Sequence, residues 1–136
     1  VSAALIADEW ITTQLSADLV LAALGIHSDL APQGEQPPYV VFQCLNAPRD
    51  MNGLGGTRIK SGTLYAVKVI GAGQSYAAIE DAANRIDQLL HNTSGTTSRG
   101  RVLSCVREQE IHYPEATNGQ HYRHLGGIYR IQVQEI

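Results

Sequence analysis

"VKVIGAGQSYAAIEDAANRI", Val67 to Ile86, is the stretch on which the fold turns. It has the outline of a strand entering a nucleotide-binding helix. A dinucleotide fingerprint requires three glycines after a parallel strand: one for the turn, one for close approach of the pyrophosphate, and one for packing of the helix against the sheet. Gly71 and Gly73 take the first two places, but Tyr76 stands in the third, where its ring would hold the helix away from the strand. The fingerprint also expects a second strand ending in an acid about 20 positions further on. Leu90 is followed instead by "HNTSGTTSRG", polar and without an acid. The stretch therefore reads as a strand-to-helix turn over Gly71 to Ser75 with Ser75 as N-cap, and nucleotide binding is the lesser reading.

Working outward, "IKSGTLYAVKVIG" (59–71) alternates through Tyr65, Val67 and Val69, which predicts a strand with one buried face. Beyond the turn, Ile79, Ala82, Ala83, Ile86, Leu89 and Leu90 form the stripe of a helix that docks on that sheet. Near the start, Ala3, Ile6, Ala7, Trp10, Ile11 and Leu15 fall at helical spacing, so Trp10 is assigned to the core. Ser16 is expected to cap a second short helix that Gly25 ends. Pro37 and Pro38 lead into a β-branched and aromatic strand, Tyr39 to Leu45, with room for a short extra strand near Ile26 to Leu30. Asn46 to Arg58 has no periodicity and three glycines, and is either a long mobile loop or the tip of a long hairpin.

The last third predicts a strand pair: one strand closed by Pro114, a turn at Asn118-Gly119, and a final strand with Tyr129, Ile131 and Val133 on one face. Strands that follow one another without crossover helices favour α+β. The expected architecture is a mostly antiparallel sheet of four to five strands, with one long helix and an N-terminal helical segment packed on one face.

A chain of 136 residues is one domain's length, able to bury about two-thirds of the surface its unfolded form exposes, with no disulfide or metal required. Ten basic against 13 acidic side chains give a net charge of -3, which removes any general case for wrapping nucleic acid. An isolated basic patch stays open, since Arg99, Arg101 and Arg107 fall close together in sequence. Cys44 and Cys105 lie in apolar runs and read as free thiols. No apolar stretch is long enough to span a membrane, and the first residues lack a signal-peptide layout, so a soluble, cytoplasmically made product is expected, for which the "NTS" at Asn92 carries no meaning.

Catalytic patterns are missing: there is no Gly-x-Ser-x-Gly, no Walker loop and no His-Glu-x-x-His. Asp8-Glu9 and Glu80-Asp81 lie on helices whose other faces are core, which makes them solvated pairs. Glu108, Glu110 and His112 alternate onto one strand face, with His121 and His124 returning on the partner strand. Same-face neighbours along a strand stand about 7 Å apart, too wide to share one ion, so a solvated face is the better account than a metal site. No enzyme, cofactor or metal is expected. What remains is surplus contact material: the loops Asn46 to Arg58 and Pro114 to Gln120, and at least two sheet edges. Such features serve assembly or are ordinary surface, and the residues alone leave both open.

One stretch goes further. Ala31-Pro32-Gln33-Gly34 followed by Pro38-Tyr39-Val40-Val41-Phe42-Gln43 resembles the signature of the tail completion, or tail terminator, proteins of long-tailed bacteriophages and related tail-derived particles. The helix "LSADLVLAALG" (15–25) before it, and the long helix and closing strand after it, are similar in order and spacing. The resemblance implies a structural virion protein of the tail-neck region: a small α+β subunit in a six-membered ring on the head-proximal end of the tail tube. There it would end tube polymerisation and offer a docking surface to the head connector or neck protein, with genome DNA only in transit through the ring and no membrane. Another neck component, for head-tail joining or head closure, is the neighbouring alternative. Loop length and composition nominate Arg49, Asp50, Met51 and Arg58 as one set of contacts to a neighbouring subunit, the tube or the connector, with His112, Glu115 and His121 near the other.

Overall fold

A computed structural model describes residues 2–46, 48–73 and 75–135. Helices α1 (Ala3–Ser16) and α2 (Leu19–Leu24) come first, then strands β1 (Ile26–Ser28), β2 (Tyr39–Cys44), β3 (Arg49–Asn52) and β4 (Arg58–Ala72). Helix α3 (Ala77–Leu90) follows, and β5 (Gly95–Thr96), β6 (Gly100–Thr117) and β7 (Gln120–Glu135) complete the chain. The strands form one sheet in the order β1-β2-β4-β7-β6-β5, with β3 paired to the first part of β4. All pairings are antiparallel except β1 with β2.

The α+β class and the antiparallel sheet are as read from the sequence, but several details differ. The sheet has seven strands where four to five were expected, and α1 and α3 are equally long at 14 residues each, so there is no single long helix. Residues 49–52 belong to a hairpin with β4, the second of the two readings of Asn46 to Arg58. Pro114 does not close β6: the ladder passes through Pro114↔Arg123 to Thr117↔Gln120, and the expected loop shrinks to the turn Asn118-Gly119. A proline is tolerated there because β6 is an edge strand whose outer N–H groups have no ladder to join. Ser16 is the last residue of α1, and Asp18 caps α2, its carboxylate accepting from the N–H groups of Val20 (2.9 Å) and Leu21 (3.2 Å). Arg85 of α3 reaches the same carboxylate at 3.2 Å and ties the two helices together. Ser75, one residue before the N-cap Tyr76, still accepts from the Ala77 N–H at 3.1 Å.

The helices cover one face of the sheet. Ile6, Trp10, Ile11 and Leu15 of α1 and Ile79, Ile86 and Leu90 of α3 are buried against Tyr65, Val67 and Val69 of β4 and Tyr129, Ile131 and Val133 of β7. Each large side chain so buried contributes roughly 1.5–3 kcal/mol. Two tyrosines fasten the helices at their polar rims: the Tyr65 hydroxyl donates to Asp8 (2.5 Å) and that of Tyr129 to Asp87 (3.0 Å). Gly71 lies inside β4, and a Cβ there would meet Ile79 at 2.6 Å. Its smallness brings α3 onto the strand, and it is no part of a phosphate-binding turn.

Candidate functional site

The architecture leaves two strand edges open at opposite sides of the sheet. On one side β2 is covered by β1, while β3 pairs only with β4, so among the described residues the outer edge of Arg49–Asn52 is free. On the other side β5 covers Arg101 and Val102, the Asn92 N–H bonds the Cys105 carbonyl, and His91 Nδ1 accepts from the Arg107 N–H. Beyond Arg107 no described group bonds the outer edge of β6 as far as Thr117. This far part of β6, called the arm below, borders a stretch of β7 that is itself paired to β4 as far as Tyr122↔Ala72, and Ile111 is the one buried residue of positions 108–117.

The first expected contact set is a genuine cluster. Arg49, Asp50 and Met51 lie on β3, and Arg58 opens β4 opposite Asn52. Arg58 is held at 2.6 Å from Glu135 and 3.6 Å from Asp50, and Asp50 accepts from the Ser61 hydroxyl at 2.6 Å. Arg49 carries no ion pair among the described residues. At the hairpin tip Leu54 is fully exposed, flanked by the half-exposed Met51 and Ile59. Leu54 was not singled out from the sequence, although a leucine set among three glycines is the signal that could have found it.

The second set does not stay together. The register breaks between Arg107 and Gln109, and Glu108 bonds Arg130 (2.7 Å), whereas Glu110 and His112 share a cleft with Tyr76 and Glu80. His112 packs edge-on to Tyr76, with ring centroids 3.9 Å apart. The common face expected for Glu108, Glu110 and His112 is thus undone by one bulge. Glu115 faces the other side of the sheet and bonds His124 Nε2 at 2.6 Å, and His121 stands exposed near the turn, opposite Ala116. Among the described residues no cluster of His, Cys, Asp and Glu could hold a metal.

A small polar knot fixes the arm to the sheet face away from the helices. His124 is buried and stacks on Tyr113 (4.4 Å), Lys68 Nζ donates to the Tyr113 hydroxyl (2.8 Å), and Glu115 closes the group. Burial pulls the His124 pKa below its ordinary value, so the ring is held neutral, and the His124 contact holds the Glu115 carboxyl below its usual range. His124 had been weighed only as a metal ligand. Of the supposed basic grouping, Arg99 is taken by Glu9 (2.8 Å) and Arg107 lies 3.7 Å from Asp87. Both cysteines are free: Cys105 is buried, with its thiol pushed up to about 12 by that burial, and Cys44 is half-buried. No described helix is long and apolar enough to cross a membrane. A cleft of about 530 Å³ runs beside Ile6, Ile59, Ser61 and Val133 and is rimmed by Arg58, Lys60 and Glu135.

No protein-family model matches this chain, and no curated protein does. Solved structures do match. A chain from the virion of the native gene transfer agent particle superposes with a TM-score of 0.71 over 96% of this chain and 96% of that chain, at 20% sequence identity. A second solved chain, known only by a sequence identifier, gives a TM-score of 0.62 over 97% of this chain and 93% of its own, at 15% identity. Likeness at these identities establishes a shared fold from end to end.

Proposed function

We propose that this chain is a structural subunit of a phage-like virion, assembled as a six-membered ring on the head-proximal end of the tail tube. There it ends tube polymerisation and offers the head connector a surface on which to dock. The observation that carries the reading is the fold shared over 96% of both chains with a component of a gene transfer agent virion. The tail-terminator signature resembled by Ala31 to Gln43 supplies the finer assignment. Ring closure by copies of one chain is heterologous, so each subunit must present two different, complementary surfaces. The hairpin of β3 and β4 and the arm of β6 are two such surfaces, on opposite sides of the sheet. The mild acidity of the chain suits a channel through which DNA passes without being held. The role is structural and calls for no catalysis or cofactor.

The test is deletion of the gene from a strain that produces the particle, followed by negative-stain electron microscopy of the lysate. Overlong tails, unjoined and lying beside filled heads, are expected. Tails of normal length that fail to join heads would move the assignment to a head-tail joining or head-closure protein. Ordinary intact particles would overturn a virion role.

A further inference from the structure

We propose that neighbouring subunits are joined by strand pairing, with β3 of one copy adding antiparallel to the bare outer edge of β6 of the next, along Glu108 to Tyr113. The proposal rests on the ring reading above and names how the ring closes.

Polarity is the first support. Taking β4 as pointing up, its antiparallel partners β3 and β7 point down, and β6, antiparallel to β7, points up. A second copy set beside β6 in the same orientation, with its helices on the same face, can lay its β3 against that edge below its own β2 and β1, which lie further up on the same side of β4. That strand points down against a β6 that points up, so the ladder is antiparallel and no copy has to be inverted. Backbone donors and acceptors on both edges lack described partners, and pairing them removes the exposed edges that a soluble sheet has to manage.

Charge is the second support. Residues 108–117 carry Glu108, Glu110 and Glu115 and no lysine or arginine, whereas Arg49 to Lys60 carries Arg49, Arg58 and Lys60 against Asp50 alone. Glu108, Glu115 and Arg58 have partners within their own subunit, but among the described residues Glu110 on one edge and Arg49 and Lys60 on the other have no ion pair, which leaves unmatched charge of opposite sign on the two edges. Copies therefore attract head to tail and repel edge to like edge, as heterologous closure needs. Pro114 has no N–H to give and limits the ladder to the residues before it.

The two edges are also stepped. Met51 lies level with Lys60 of β4, while Glu110 lies level with Gly127 and, through it, with Val67. Pairing them displaces each copy along the strands by about seven residues, ~23 Å, for every four strands of width, ~19 Å. A closed ring absorbs such a step only if its strands lean about 50° from the ring axis, somewhat more than the roughly 35–45° of closed barrels.

The experiment uses purified particles carrying Met51→Cys together with Glu110→Cys in a Cys44→Ser background, treated with a short bismaleimide and run on a denaturing gel. Both positions are exposed, and Cys105 is buried. A ladder from dimer to hexamer is expected from the double variant and none from either single-cysteine variant, because position 51 meets position 110 and not itself. Particles that contain the chain and yield only monomer would overturn the strand pairing and leave the ring reading standing. A dimer formed by one single-cysteine variant would overturn it in favour of a two-fold contact. Absence of the chain from particles would overturn the functional reading itself, and the pairing with it.

Discussion

The two ends of one strand pair invite comparison. Over Val102 and Cys105, strand β6 sends side chains beneath the helices, opposite the buried Val133 and Ile131 of β7. Past Arg107 the ladder to β7 continues, yet of positions 108–117 only Ile111 is buried. One end is held by a packed core. The other is held by backbone pairing and by the knot of Lys68, Tyr113, Glu115 and His124. Stability and contact surface are thus separated within a single hairpin: the core end can be perturbed only at the expense of folding, and the exposed β6 rim of the arm can be rewritten with little effect on it.

That division can be broken by measurement. The largest effect is expected at the core, where Ile86→Ala should lower unfolding free energy by about 2–5 kcal/mol in urea denaturation, because the cavity beneath α3 cannot collapse onto a strand. A loss well under 1 kcal/mol would mean that α3 is not a structural support. An intermediate, pH-dependent effect is expected from the knot. His124 is held neutral in the native state, so as pH falls from its ordinary value near 6.5 toward its lower native value the unfolded chain takes up a proton that the native chain refuses, and stability falls. Glu115 acts in a more acidic window: its contribution is present above its ordinary value near 4.5 and is lost as pH falls through the depressed native one. Replacing His124 with Asn should therefore reduce the drop in melting temperature between pH 7 and pH 5, and an unchanged drop would sharpen the search toward other groups. The smallest effect belongs to the arm's rim, where Glu110→Ala should shift unfolding free energy by no more than about 0.5 kcal/mol. A larger loss would show that the arm is part of the folding unit and erase the contrast.

The core was legible because it repeats. The stripes Ile6 to Leu15 and Ile79 to Leu90 keep helical spacing, and Tyr65, Val67 and Val69 keep the strand period, so local pattern and tertiary packing agree. Strand β3 left no such trace, since all four of its residues are exposed and none follows a buried period. The last four residues of β6, Pro114 to Thr117, were hidden by the proline, a breaker inside a sheet but harmless on an edge. In the candidate site, composition found Arg49, Asp50 and Arg58, and the hairpin does gather them. The bulge that parts Glu108 from Glu110 has no signature in residue type, and for that reason Glu108, Glu110 and His112 were drawn on one face when they occupy two.

The tyrosine fastenings have an optical consequence. The chain has six tyrosines, and those at 65 and 129 are fully buried with hydroxyls given to Asp8 and Asp87. Burial first, and the adjoining carboxylate second, drive both phenols well above the usual range for ionisation. Neither can become phenolate while α1 and α3 sit on the sheet. In alkali the ultraviolet absorbance of the chain would therefore rise in two stages, the second of them from this pair. The second stage would coincide with departure of the helices, which makes two native residues a built-in chromophore for the state of the fold.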